Sequence, residues 1–197
     1  MRQWLTPLCL SLALLSAGCL TTGRRGGDQS MQVYDLGVPP AVQRSAGLAL
    51  EVSAPGWLDT PAVVYRLAYL SAAQVREYTQ SRWVAAPAVL IERQLRRQLG
   101  YGTPSGSGRS PCLLRLELDE FSQVFTAANA SHSLLMVKAV WLDRQRQPLL
   151  MRSLRLEQPA TTADAGGGIA ALTAAVAQLA QQLQAAESEL PVACRGL

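Results

Sequence analysis

The stretch Leu113-Leu-Arg-Leu-Glu-Leu-Asp-Glu-Phe121 alternates apolar and charged residues, and this alternation decides the fold. Leucines at 114, 116 and 118 lie on one face of a strand, while Arg115, Glu117 and Asp119 lie on the other. A strand with one apolar and one charged face is typical of an antiparallel sheet that covers a core on one side only. The stretch therefore predicts a β-sheet with a buried face and a wet face.

Two further strands follow this stretch at short intervals. Leu134–Asp143 and Leu149–Glu157 both alternate, and their inward residues are Leu135, Val137, Ala139 and Trp141, then Leu150, Leu154 and Leu156, with Arg152 as an exception. The connection from Asp143 to Pro148 is short and polar, as in a hairpin loop. Short links between consecutive strands predict an antiparallel meander.

The amino-terminal half contributes two more predicted strands. Leu48–Ala54 alternates, and Ala62–Leu70 is rich in β-branched and aromatic residues. Met31–Gly37 is a short extended piece that ends before Pro39-Pro40. Ser71–Tyr78 fits a short helix or an extended connection, and the pattern does not decide between them.

Two amphipathic helices complete the pattern. The first opens at Ser81, has Pro87 in its first turn and stops at Gly100, and its apolar face is Ala88, Ile91, Leu95 and Leu99. The second runs from Ile169 to Ala186 with apolar residues every three or four positions. The order β-β-α-β-β-β-α predicts an α+β fold: an antiparallel or mixed sheet of about five strands with two helices packed on one face.

The amino terminus reads as an export signal. Arg2 is followed by an uncharged, Leu-rich run and then Leu15-Ser-Ala-Gly-Cys19. Small residues directly before a cysteine resemble the bacterial lipobox, in which Cys19 receives a diacylglycerol and an N-acyl chain after cleavage. An ordinary signal peptide with a chance cysteine is the alternative. We divide the chain into a signal peptide (1–18), an acylated tether (19–46) and a domain (47–197).

The residue after the cysteine bears on location. Leu20 stands where Asp would resemble an inner-membrane retention signal, so the chain resembles an outer-membrane lipoprotein that faces the periplasm of a Gram-negative bacterium. Two or more acyl chains give a firm anchor. The loss of Arg2 with the signal peptide lowers the net charge from +4 to +3, which is mild and predicts no nucleic-acid partner.

Two cysteines remain in the predicted domain. Because the compartment is oxidising, Cys112 and Cys194 are expected to form a disulfide that stabilises the domain by roughly 4–5 kcal/mol. Two separate buried thiols are the alternative. Neither the spacing of the cysteines nor any histidine cluster indicates a metal site.

No constellation of residues indicates an enzyme. His132 is the only histidine and is placed in a surface loop, and Asp119 and Glu120 would point to opposite faces of a regular strand. Gly166-Gly167-Gly168 lacks the Lys of a phosphate loop and is interpreted as a flexible helix entry. No catalytic residue or cofactor is predicted, apart from the acyl groups on Cys19.

Two helix surfaces leave alternatives open. Arg93, Arg96 and Arg97 could bind lipid phosphate, but a solvated face is the favoured interpretation. The last helix carries no charge between Ala165 and Ala186, so its Ala- and Gln-rich side suits packing against a neighbour, including a second copy of the chain. A high content of Ala from helix propensity alone explains the same pattern.

Several stretches, taken in order, resemble one protein family. They are the lipobox ending at Cys19, Tyr34-Asp-Leu36, Leu48-Ala-Leu-Glu-Val52, Leu58-Asp-Thr-Pro-Ala-Val-Val-Tyr-Arg66, Arg82-Trp-Val-Ala-Ala-Pro87 and Ala171-Leu-Thr-Ala-Ala-Val-Ala-Gln-Leu179. This set is similar to the auxiliary lipoprotein component of ABC-type transport systems. The family includes lipoprotein partners of the paraquat-inducible MCE-protein system.

The resemblance implies a function without catalysis. It implies an outer-membrane lipoprotein that docks an MCE-domain protein of an ABC system, which moves lipids between the two membranes. The residues that it marks as candidates for partner binding are Trp57, Tyr65, Arg66, Arg82 and Trp83. The two tryptophans could be binding anchors or simply core residues. The alternative is a lipid-carrying lipoprotein with its own apolar cavity between sheet and helices.

Overall fold

The structure, a computed structural model, describes residues 30–42, 47–104 and 110–195. Its strands are β1 Gln32–Tyr34, β2 Leu48–Ser53, β3 Ala62–Leu67, β4 Val75–Trp83, β5 Cys112–Ala127, β6 Ala130–Leu142 and β7 Pro148–Pro159. The helices are α1 Pro87–Leu99 and α2 Ala165–Ala186, with 3-10 turns at Gly56–Leu58, Glu187–Glu189 and Val192–Cys194. The signal peptide and Cys19 lie outside the described residues.

All seven strands belong to one mixed sheet. The hydrogen-bonded order is β1-β4-β3-β5-β6-β7, and β2 also pairs with β5. The pairs β5–β6 and β6–β7 are antiparallel, which confirms the predicted meander. The pairs β1–β4, β2–β5 and β3–β5 are parallel. The fold class is confirmed as α+β with two helices, and the strand count is higher than the predicted five.

Strand β5 is the centre of the sheet because two strands share one of its edges. Its first half, from Cys112 to Glu117, pairs with β2, and its second half, from Gln123 to Phe125, pairs with β3. An irregularity between Leu118 and Glu120 separates the halves. At 16 residues, β5 is about three times as long as a common strand, which gives room for two partners.

The same irregularity changes the alternation of β5. Leu114, Leu116 and Leu118 are buried in the core, and so is Phe121, three residues after Leu118. The two residues between Leu118 and Phe121 are therefore taken out of the regular pattern by a bulge. We call the face that carries Leu114 and Phe121 the inner face of the sheet, and the opposite side the outer face.

Both helices pack on the inner face. Ile91 and Leu95 of α1 and Leu172, Val176, Leu179 and Leu183 of α2 are at most 1% exposed and join the inward residues of the sheet in one apolar cluster. Trp141 and Leu135 of β6 lie in the same cluster at 0% exposure. No helix within the described ranges is long and apolar enough to cross a lipid bilayer.

The ends of the helices have local causes. Pro87 occupies the first turn of α1, and Ala86 before it is extended with ψ 142°. A residue before proline avoids the helical region, so α1 cannot continue backwards. The prediction that this helix opens at Ser81 is therefore wrong, because residues 81–83 belong to β4 and pair with β1. Gly100 ends α1 in the left-handed region with φ 64°.

Some boundaries differ from the predictions in a smaller way. Strand β3 ends at Leu67, so Tyr69 and Leu70 lie in the turn that leads to β4. Strand β6 begins at Ala130, which places His132 within a strand instead of a loop. The compact unit starts at Met31, and β1 pairs with β4, so the sheet takes in residues that the sequence analysis assigned to the tether.

Candidate partner-binding surface

The five residues marked for partner binding lie in four different environments. Trp83 is 1% exposed, and its ring lies 5.5 Å from that of Phe121 between ring centroids. Its side chain is therefore part of the core and is not available to a partner in this structure. Arg82, its neighbour in β4, is exposed and lies beside Ala62 and Val33 in the sheet.

Tyr65 belongs to a half-buried aromatic group at the end of β3. Its ring centroid lies 4.5 Å from that of Tyr78 and 5.8 Å from that of Phe125, the latter in an edge-to-face arrangement. Such pairs contribute about 0.5–1.5 kcal/mol beyond the burial of their surface. The position of Tyr65 is thus explained by packing within the sheet.

Trp57 and Arg66 form the contact that most resembles a binding site. The Arg66 Nη2 donates to Glu120 Oε2 at 2.7 Å, and Nη1 donates to the carbonyl oxygen of Ala72 at 3.2 Å. The guanidinium carbon lies 5.8 Å from the centroid of the Trp57 ring, within the range of a cation–π interaction. Trp57 itself is 42% exposed.

The carboxylate partner of Arg66 is unusual in its burial. Glu120 is 9% exposed, and the side chains of the ion pair are only 17% and 12% exposed. Its second oxygen, Oε1, has no hydrogen-bond partner among the described residues, and neither has the hydroxyl oxygen of Ser122 two residues later. We call Trp57, Arg66, Glu120 and Ser122 the outer-face cluster, because Glu120 and Ser122 of β5 point away from the helices.

The outer-face cluster joins an exposed aromatic ring to buried polar groups. Trp and Arg are the residues that most often dominate the energy of an interface. The exposed Trp57 ring beside the Arg66 guanidinium can therefore pack against the surface of a partner.

Sequence reasoning missed Glu120 and Ser122 as members of this cluster. The argument that Asp119 and Glu120 point to opposite faces assumed a regular strand, and the bulge breaks that assumption. Glu120 is buried against Arg66, whereas Asp119 is exposed, so the two do not form a carboxylate pair. The only signal in the sequence was the interruption of the Leu-x-Leu-x-Leu alternation at Asp119-Glu120-Phe121.

A second polar group lies on the inner face beside α2. The Tyr78 hydroxyl donates to Gln123 Oε1 at 2.8 Å, and Gln123 Nε2 donates to Ser131 Oγ at 2.8 Å. Gln123 is fully buried. Burial, followed by the charges of Tyr65 and Asp164, raises the pKa of Tyr78 above its usual value, so the phenol stays neutral and donates. This group links β4, β5 and β6 to one another.

The Gly-rich start of α2 is explained by close packing. Asp164 caps the helix by accepting from the Gly167 N–H at 2.8 Å, and this bond, with one from the Thr162 hydroxyl, lowers the pKa of the Asp164 carboxyl. A Cβ on Gly168 would lie 2.0 Å from Gln123 Oε1, and one on Gly167 would lie 2.2 Å from the Thr162 carbonyl oxygen. The glycines let the helix approach its neighbours, and the interpretation as a flexible entry is wrong.

The remaining chemical candidates do not assemble. His132 Nε2 lies 3.7 Å from Glu157 Oε2 on the outer face. Within residues 30–42, 47–104 and 110–195, no three His, Cys, Asp or Glu side chains come together as metal ligands. Cys112 and Cys194 are joined as a disulfide with a Cα–Cα distance of 5.3 Å, which confirms that pairing.

The comparisons with known proteins concern the family and the fold. A family model for the ABC-type transport auxiliary lipoprotein component matches residues 34–184. A crystal structure of a Xanthomonas campestris protein, described as a DUF330 family member, superposes with a TM-score of 0.63 at 18% identity, covering 77% of this chain and 92% of that one. An uncharacterised protein gives the same TM-score and identity and covers 78% and 96%.

Other comparisons add less. A putative lipoprotein from Caulobacter crescentus matches at a TM-score of 0.37 and 17% identity, over 49% of this chain and 79% of that one. No curated protein matches the chain. The structural likenesses show the fold, and the family model covers well over half of the sequence. The chain belongs to the family of ABC-type transport auxiliary lipoprotein components.

Proposed function

We propose that this protein is an outer-membrane-anchored, periplasm-facing lipoprotein that docks the MCE-domain protein of an ABC-type intermembrane lipid transport system. The observation that supports the docking role is the outer-face cluster, where the exposed Trp57 ring lies against the guanidinium of a largely buried ion pair. The family supplies the link to ABC transport. The MCE partner rests on the ordered sequence stretches that resemble lipoproteins of that system.

The anchor is proposed from the sequence of the amino terminus. Leu15-Ser-Ala-Gly-Cys19 follows an apolar run of export type. Acylation of Cys19 by a diacylglycerol and an N-acyl chain would hold the domain at a bilayer, since more than one chain is needed for stable attachment. Leu20 favours the outer membrane as the destination.

The close packing of side chains between α2 and the sheet favours docking over lipid carriage. The side chains between α2 and the sheet fill that space, and Leu172, Val176, Leu179 and Leu183 are at most 1% exposed. Three depressions that lie among the described residues, beside Ala49, Val38 and Ser53, include no residue of α2. A carrier would need an apolar cavity of a few hundred cubic ångströms, as ligand sites generally have.

The docking role is tested by affinity capture with matched variants. The acylated full chain is used to capture proteins from membranes of its own host, and the recovered MCE-domain protein is then titrated. Trp57→Ala should weaken binding at least thirtyfold, which corresponds to the loss of about 2 kcal/mol at a hot spot. Tyr69→Ala is the control, because Tyr69 has a similar exposure of 44% but lies in the turn after β3.

Two results would contradict the proposal. Recovery of no MCE-domain protein would remove the proposed partner, and equal affinities of the Trp57→Ala and Tyr69→Ala variants would remove the outer-face cluster as its site. The anchor is tested separately with Cys19→Ser, which should abolish palmitate labelling and change both processing and membrane fractionation. Unchanged labelling in that variant would refute the anchor alone.

A further inference from the structure

An exposed apolar and basic surface lies along α1, away from the outer-face cluster. It consists of four valines and two arginines: Val38, Val42, Val84, Val89, Arg93 and Arg97. We call these six residues the α1 surface. The valines are 72%, 47%, 57% and 56% exposed, which is high for side chains of this kind.

Contacts between α1 and the segment after β1 bring five of these residues together, and the Val84 N–H donates to the Tyr34 carbonyl oxygen at the end of β1 at 2.7 Å. Val89, Arg93 and Arg97 are spaced four apart and share a face of α1. The segment after β1 follows that face: Asp35 contacts Arg93 at 3.5 Å, Pro39 accepts from Arg97 at 3.5 Å, and the Val42 N–H donates to the Arg97 carbonyl oxygen at 2.9 Å. Val38 and Val89 line the same depression of about 600 Å3.

The charges of the α1 surface are only partly neutralised. Glu92 pairs with Arg96, and Asp35 makes a long, exposed contact with Arg93. No carboxylate of the described residues pairs with Arg97. Valines that project among arginines suit a bilayer interface, where apolar side chains enter the headgroup region and cations meet phosphate.

The length of chain between Cys19 and β1 limits how far the domain could lie from a bilayer. The segment along α1 is continuous with β1, and 11 residues separate Met31 from Cys19. Extended at about 3.5 Å per residue, that length reaches no more than roughly 40 Å. This is about the diameter of a domain of this size. An anchored Cys19 would therefore keep the domain within one diameter of the bilayer.

We infer that the α1 surface is the membrane-facing side of the protein and binds anionic phospholipid headgroups. The inference rests on the proposed lipid anchor, and it adds an orientation: α1 faces the lipid, and the outer-face cluster on the other side of the sheet faces the periplasm. Valines enter the interface and Arg93 and Arg97 contact phosphate. The favoured sequence interpretation of these arginines as a merely solvated face gives way to this one.

The test measures which side of the anchored protein touches lipid. The acylated full chain is reconstituted in phosphatidylcholine vesicles with or without about one-third phosphatidylglycerol. A photoreactive benzoyl-phenylalanine replaces Val89 in one sample and Met151 in another. Met151 is the matched control, since it is 54% exposed and lies on β7 at the outer face. Cross-linking to lipid should be several times greater from position 89.

Charge variants test the headgroup contact. Arg93→Gln with Arg97→Gln should lower cross-linking from position 89 in the anionic vesicles by about fivefold for each arginine. Arg144→Gln with Arg146→Gln changes the net charge equally in the β6–β7 loop and should leave cross-linking unchanged. Equal labelling from positions 89 and 151, or equal effects of the two charge variants, would overturn the inference.

Failure of the anchor is distinguishable from failure of this orientation. A chain that does not float with neutral vesicles lacks the anchor, and the proposed attachment is then wrong. In that case the anionic vesicles still test whether the α1 surface binds lipid, since selective labelling from position 89 supports that binding. Absence of labelling from position 89 in both kinds of vesicle refutes it.

Discussion

Loss of the Cys112–Cys194 disulfide should remove a large part of the stability of this domain. The bond closes a loop with a sequence separation of 82. In the chain-entropy model, a loop of this length lowers the entropy of the unfolded state by about 15 cal/mol/K, or roughly 4.5 kcal/mol at 25 °C. Domains of this kind have a total free energy of unfolding of about 5–15 kcal/mol, so the bond contributes a substantial share.

The assay is urea unfolding of the oxidised and the reduced protein. With a urea m-value of about 2 kcal/mol/M, the loss of 4.5 kcal/mol moves the midpoint down by about 2 M. Reduction of the wild-type protein measures the contribution of the disulfide alone, because both sulfur atoms remain in the protein. Cys112→Ala with Cys194→Ala should unfold slightly earlier still, since the two side chains are 4% and 2% exposed and their truncation leaves small cavities.

A midpoint that moves by less than about 0.5 M on reduction would refute this reasoning, because the loop-length model then fails for this domain. Alkylation followed by mass measurement shows whether the bond was present before reduction. A variant with only Cys112→Ala is a further check: it removes the same bond, and its midpoint should lie close to that of the reduced wild type.

Three further predictions concern the region where α2 meets the sheet. Asp164→Ala should destabilise the protein by about 1 kcal/mol in thermal or urea unfolding at pH 7, whereas Asp164→Asn should largely keep the cap. Because the pKa of Asp164 is lowered in the folded state, its contribution to stability is present above pH 4 and is lost as the pH falls through the folded pKa. A wild-type protein no more stable than the alanine variant at pH 7 would contradict the cap. The raised pKa of Tyr78 predicts that the free energy of unfolding falls as the pH rises above 10, because the phenol ionises first in the unfolded state. Tyr78→Phe should make this fall smaller. If the free energy of unfolding of the wild type and of the variant fell equally with pH, Tyr78 would not be the cause. Gly168→Ala should cost about 1–3 kcal/mol, because its Cβ would lie 2.0 Å from the buried Gln123 amide, while Gly166→Ala meets its nearest atom at 3.4 Å and should be tolerated; similar midpoints for the two variants would show that the helix moves freely.

The carboxy-terminal half of the fold was predictable because its strands have one wet and one buried face. Alternation is visible in β5, β6 and β7, and both helices show an apolar face with a period near 3.6. The confirmed disulfide followed from the compartment that the amino terminus implies. Alternation and helical periodicity depend only on neighbours in the sequence, so a single sequence is enough to reveal them.

The amino-terminal half was predicted less well for physical reasons. Strand β1 has three residues, too few to show a period, and β4 shows no clear alternation because exposed side chains lie on both of its faces. The parallel pairings of β2 and β3 with β5 join residues that are about 60 positions apart. Periodicity reports which face of a strand is buried, but it does not report which strand lies next to it.

The outer-face cluster depends on the bulge in β5, which the sequence pattern does not predict. Trp57 and Arg66 were marked by resemblance, but their contact with Glu120 depends on the bulge after Leu118. Trp83 illustrates the opposite case, since a large aromatic residue in a marked stretch proved to be part of the core.

The parallel pairing of β2 with the start of β5 also sets an order of events during folding. Leu48 cannot meet its partner until Cys112 has been synthesised, and β3 must wait for Gln123. By contrast, β5 and β6 are joined by a turn of two residues, so this hairpin can form locally and early. Non-local pairing slows folding. We therefore expect the β5–β6 hairpin to form first and to act as the nucleus, and β2 and β3 to join it later.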